Sequence, residues 1–219
     1  MLRFAAIASV LLVAGPAQAV SVTTFDFTSA GPNQTVGQSE TFTEGGLSVE
    51  ATALWQFGGA YVPIPGVQVV QGPNGLGVTN PNDDAWNGSD GQIDNLGINE
   101  GLVLDFSREV RVDEIAFGSA GRNDQGTIFV DFAGDNTDDF FQQEASLNLR
   151  ANNPYTAMFN GLVDRILFGV PGGFNFNDDY YLSSITVTQM PVPAAGVLFG
   201  SALGLAGLWR RRAAKAAQA

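Results

Sequence analysis

The sequence predicts an all-β fold, an antiparallel β-sandwich, on three observations. Between Val20 and Gln189 no long stretch keeps a 3.6-residue apolar period. The apolar residues come instead in short alternating runs, rich in β-branched and aromatic side chains and punctuated by Gly, Asn, Asp and Pro. About ten such runs with turn signals between them form the pattern of a jelly-roll-like sandwich. At about 170 residues such a domain buries a core without disulfides, so the absence of cysteine is no obstacle.

The runs follow in order. Ser21 to Phe27 is strand-like by composition. Gly46 to Trp55 alternates through Leu47, Val49, Ala51 and Ala53, and Val67 to Val70 is short and apolar. Gly75 to Val78 is strand-like. Gly101 to Phe106 sets Leu102, Leu104 and Phe106 on one face. Arg111 to Gly118 brings Val112, then Ile115 and Phe117, inward; that odd spacing requires a bulge between them. Thr127 to Phe132 and Phe140 to Ala145 flank Ala133 to Asp138, a hairpin loop by composition. Val163 to Val170 and Tyr180 to Val187 complete the set, and most of the 16 phenylalanines fall at inward positions.

The two ends differ from this body. Arg3 precedes an apolar run from Phe4 to Ala14, then a Gly15-Pro16 break and Ala17-Gln18-Ala19. That is the layout of a secretory signal peptide, residues 1–19, cleaved before Val20. At the other end, residues 190–219 carry a stiff Met190-Pro191-Val192-Pro193-Ala194 motif, a run from Ala194 to Trp209 without a charge, and Arg210, Arg211 and Arg212. The uncharged run is slightly short for a membrane span, and snorkelling arginines with an interfacial Trp209 make up the difference. The arginine cluster predicts a cytoplasmic C-terminus. Gly196, Gly200 and Gly204 recur at the spacing that lets helices approach closely in lipid.

Proline motif, short apolar helix and arginine cluster together resemble the PEP-CTERM type of sorting tail, in its VPLPA variant, with methionine and valine in place of the first valine and the leucine. The resemblance covers about the last 30 residues and implies a substrate of an exosortase-type membrane enzyme. The chain would then be exported, held transiently at the inner membrane, and passed to the cell surface or extracellular matrix.

Charge limits what the body does. All 22 acids lie between Asp26 and Asp179, against five arginines, which is a net charge of −17. Such a body repels nucleic acid and anionic lipid. The chain has no histidine or cysteine, and the body has no lysine. This excludes a Ser-His-Asp triad, a thiol nucleophile, the usual zinc sites, Schiff bases and a P-loop. Carboxylate chemistry, hard-cation binding or no chemistry remain.

The densest polar stretch runs from Thr79 to Glu100, with Asp83, Asp84, Asp90, Asp94 and Glu100 among asparagines, and Gly88 and Gly91 for tight turns. Carboxylate, amide and carbonyl oxygens are what Ca²⁺ takes. Asp90, Asp94 and Glu100 are the expected ligands, with Asp83 or Asp84 behind them. The spacing is not that of an EF-hand, and a solvated acidic loop has the same composition. Asp135 to Asp139 has a calcium-loop start but runs into Phe140-Phe141, which makes it a hairpin tip. Trp55, Trp86, Tyr61 and Tyr180 are the aromatic residues that could stack on a sugar, although aromatics are more often core.

Gly75 to Val78, Gln92 to Asp94, Glu100 to Phe106 and Ile115 to Gly118 resemble the extracellular domain often found before this kind of tail, and Tyr181 to Val187 its closing strand. Such domains look like galactose-binding-type jelly rolls. The resemblance carries no catalytic residue and implies a structural cation held by a loop. The reading is therefore a non-enzymatic surface or matrix β-sandwich, steadied by Ca²⁺. The alternatives are a module that binds extracellular polysaccharide, which needs exposed aromatics beside amides, and a glycosidase, which needs a spaced carboxylate pair in a cleft.

Overall fold

The computed structural model describes residues 20–57, 59–80, 91–94, 99–121, 124–132, 142–159, 161–170 and 178–190. The expected signal peptide and the expected sorting tail, Pro191 onward, lie outside them. Among the described residues there is no helix, and none long and apolar enough to cross a membrane.

The strands are β1 (Ser21–Asp26), β2 (Gln34–Gly37), β3 (Ser39–Glu44), β4 (Leu47–Phe57), β5 (Ala60–Val62), β6 (Gln68–Gly72) and β7 (Gly75–Thr79). There follow β8 (Ile93–Asp94), β9 (Glu100–Gly118), β10 (Gln125–Phe132), β11 (Gln142–Asn148), β12 (Tyr155–Thr156), β13 (Val163–Gly169) and β14 (Asp179–Gln189). All pairings are antiparallel. The all-β, sandwich-like expectation holds.

The two runs read as Gly101 to Phe106 and Arg111 to Gly118 are one strand, the 19-residue β9. Its first half pairs with β4 and β13. Past the exposed Ser107, Arg108 and Glu109, its second half pairs with β14 and β12. One layer is therefore β3, β4, the first half of β9, β13, β10 and β11. The other contains the second half of β9, β14 and β1, and it continues from Leu182 of β14 through β7 and β6 to β2.

The expected bulge is present. Val112 pairs with Val187 and Glu114 with Thr186, which leaves Asp113 as the extra residue. Val112, Ile115 and Phe117 are all buried as a result. The Asp113 side chain accepts from Arg111 Nε at 2.8 Å and Thr188 Oγ1 at 2.5 Å, and its carbonyl accepts from Ala157 N at 3.0 Å. β14 slips in the same way at Ser183, between the pairs Leu182–Phe117 and Ser184–Ala116.

The core lies between the layers. Leu47, Val49, Ala51 and Ala53 of β4 are fully buried, as the alternation predicts, and so are Leu102 and Leu104. Phe117 meets Phe168 edge-on at 6.4 Å between ring centroids. The β3–β4 hairpin adds a strand to those expected, and its sequence signal is plain. Glu44 pairs with Leu47 across Gly45-Gly46, at φ +56° and +77°, the conformation that a two-residue primed turn demands.

Leu104→Ala, at the centre of β9, is expected to cost about 2–5 kcal/mol. The readout is a lower urea midpoint of the Val20 to Gln189 body with unchanged slope. Val22→Ala, on the exposed face of β1, should stay within about 0.5 kcal/mol.

Candidate functional site

Period two gives the first layer a second, outward face. Its residues form rows across β4, β9, β13 and β10, because the register aligns them. Leu54 pairs with Gly101, which pairs with Gly169, which pairs with Thr127. The next row is Thr52, Val103, Leu167 and Phe129, and the third is Glu50, Asp105, Arg165 and Asp131. Leu54, Val103 and Leu167 make a small apolar cluster separate from the core, with Tyr61 and Phe129 packed on it.

Tyr61 reaches this face from β5, which folds back on the end of β4. Its ring lies on the facing pair Gly101 and Gly169. A Cβ at Gly101 would stand 2.6 Å from Tyr61 Cδ1, and one at Gly169 2.3 Å from the Tyr61 hydroxyl oxygen. Any side chain at either position would displace the ring. The hydroxyl donates to the Val170 carbonyl at 3.4 Å. Burial pushes its pKa up to about 12.

The result is a half-open groove of about 540 Å³. Val103 and Leu167 floor it, Tyr61 and Phe129 form an aromatic side with ring centroids 6.1 Å apart, and Thr52, Gln56, Asp105, Asp131 and Arg165 supply polar groups. Arg165 Nε donates to Asp105 Oδ1 at 2.5 Å, and Arg165 Nη1 stands 4.0 Å from Asp131 Oδ2. The Asp105 hydrogen bond, then the nearby carboxylate charges, raise the guanidinium pKa against the opposing effect of burial. Both partners are about a third exposed, so the pair is worth little as stability. Its effect is to fix a planar donor beside planar acceptors.

Of the candidates that the sequence offers, the described ones other than Tyr61 do not line this groove. Asp83, Asp84, Asp90 and Trp86 fall outside the described residues. Asp94 is half-buried on β8, directly opposite Asp179 of β14. Glu100 is 2% exposed and accepts from Asn80 Nδ2 at 2.7 Å. Among the described residues no three carboxylates converge as a metal would require. Tyr180 is too buried to stack on a sugar, and Trp55 is half-buried. Trp55 continues the inward series of β4 and packs on the core. Tyr180 is 1% exposed, edge-on to Phe117, and donates to the Gly169 carbonyl at 2.8 Å. Of the three described aromatics among these, Tyr61 lines the groove, and Phe129 joins it unforeseen. The only local signal for this arrangement was Gly101 and Gly169 inside apolar runs, where glycine marks close approach.

No family model, curated protein or solved structure matches the chain.

Two measurements check this geometry. Gly101→Ala and Gly169→Ala should each cost about 1–3 kcal/mol through overpacking, and Tyr61→Ala should absorb part of that cost in a double-mutant cycle read by urea unfolding. The Tyr61 pKa is raised on folding, so its contribution is complete below the unfolded value near 10 and is lost as pH rises through about 12. Tyr61→Phe should make stability fall less steeply above pH 10. Tyr180, whose pKa burial also raises, would supply the remainder.

Proposed function

We propose that the chain is an exported, surface- or matrix-associated, non-enzymatic β-sandwich of jelly-roll type. Its C-terminal segment holds it at the inner membrane until an exosortase-type enzyme processes it. The observation that carries this reading is the β1–β14 ladder. Ser21 pairs with Gln189 and Asp26 with Ser184, so the first and last strands of the body are neighbours. Cleavage before Val20 and near Pro193 would leave every described ladder and every described core residue in the body. The sequence reading of both ends supports the rest.

Calcium is part of the proposal, held by the segment from Asp83 to Glu100. What supports it, besides composition, is the β8–β14 register. Like charges directly opposite each other, as Asp94 and Asp179 are, weaken a ladder, and a divalent cation beside them offsets that.

Exported material should begin at Val20 by N-terminal sequencing, and the intact mass of the released form should lack Trp209 and the three arginines after it. A mature species that keeps them would make the tail a permanent anchor. For calcium, a thermal melt of the body at 100 times Kd should rise by roughly 5–10 °C over EDTA, from about 2.7 kcal/mol of linkage. Magnesium should do much less, and Asp94→Asn should remove most of the shift. Equal midpoints in EDTA and calcium would defeat the calcium assignment.

A further inference from the structure

We infer that the groove on the outer face of β4, β9, β13 and β10 binds a neutral polysaccharide segment. This goes beyond export and anchoring and does not depend on them.

The argument begins with shape. The groove is half-open and about 540 Å³, within the range of ligand sites. Its opening suits a stretch of chain entering and leaving rather than an enclosed small molecule. The lining comes next. A sugar ring has an apolar face of C–H groups and a rim of hydroxyls. The groove offers both complements. Tyr61 and Phe129 are aromatic surfaces, and Asp105, Asp131, Arg165 and Thr52 are polar groups set around the apolar floor.

Charge selects among chain-like ligands. The body carries −17 and the third row holds Glu50, Asp105 and Asp131 against Arg165 alone, so an anionic polysaccharide is repelled. A cationic peptide would compete with Arg165, which already holds Asp105 at 2.5 Å and stands 4.0 Å from Asp131. A neutral polyol displaces nothing. Adjacent hydroxyls can accept from the guanidinium and donate to the carboxylates while that pair stays together. The platform is preorganised, since its rows belong to continuous ladders and Tyr61 is seated on a glycine pair, and this lowers the ordering cost of binding.

The test is calorimetry on the full chain in a zwitterionic detergent, which avoids sugar-headed detergents. The probes are neutral hexasaccharides of glucose, mannose, xylose and galactose, an alginate hexamer and hexa-arginine. At least one neutral hexasaccharide should bind in the micromolar to millimolar range, and alginate should not. Phe129→Ala should weaken that binding, and Thr52→Val, which keeps the side-chain shape and strand preference, should weaken it by up to about tenfold through one lost hydrogen bond. Thr52→Val should leave the thermal midpoint unchanged, which keeps the test readable if Phe129→Ala unfolds. Val22→Ala, on β1, should bind as the parent does. No heat with any neutral probe, binding indifferent to both groove variants, or preferential binding of hexa-arginine would each overturn the assignment. Failure here leaves the export reading to its own N-terminal and mass measurements, and failure there leaves this one standing.

Discussion

β9 belongs to both layers, and a shared strand is bound by a phase constraint. Side chains alternate with a period of two, so any odd step turns every later residue to the other face. Phe106, Val110 and Val112 keep one phase, while Ile115 and Phe117 need the other. The bulge at Asp113 supplies the odd step, and Arg111, Thr188 and Ala157 hold it. Without it Ile115 and Phe117 would face water, and the second layer would lose its inner face. The polar triplet Ser107, Arg108 and Glu109 marks where the strand passes from one set of partners to the other.

The first half of β9 is regular, and the groove follows from that. Between Glu100 and Phe106 the ladder to β4 has no register shift, so inner and outer rows stay aligned across neighbouring strands. The same backbone that sends Leu102 and Leu104 into the core sends Gly101, Val103 and Asp105 outward. Opposed glycines at the top of the outer face leave a slot. Tyr61 fills it and turns a flat sheet into a walled one, much as an aromatic ring covers glycine in built β-sheets. The aromatic and polar rows of this face are thus a by-product of core geometry, with one turn of chain laid across them.

Electrostatics points the same way. A body with five arginines against 22 acids spends one of those arginines, Arg165, at the groove mouth between Asp105 and Asp131. The pairing keeps the third row of the outer face from being a bare anionic strip, and it gives the groove fixed donors and acceptors in place of a field that would attract only cations. The general excess of acid in the body repels anionic surfaces.

Strand identity was legible because alternation is local. The runs from Ser21, from Leu47 and from Gly101 each declare their buried face within a few residues, and the Val112-to-Ile115 spacing announced its bulge. The groove was not legible. Leu54, Val103 and Leu167 cluster, yet they stand 49 and then 64 residues apart in sequence, and each alone reads as an ordinary interruption of alternation. Tyr61 and Tyr180 were equal candidates for stacking on a sugar, yet Tyr180 is buried and Tyr61 lines the groove, because an aromatic residue carries no local mark of the face it will take. The sequence by itself determined the longer inner strands, the face each of them buries and what chemistry is excluded, while short strands such as β2, β3, β5 and β12 escaped it. Only the tertiary structure decided which outer faces share a row, because register between distant strands is set by packing of the whole core.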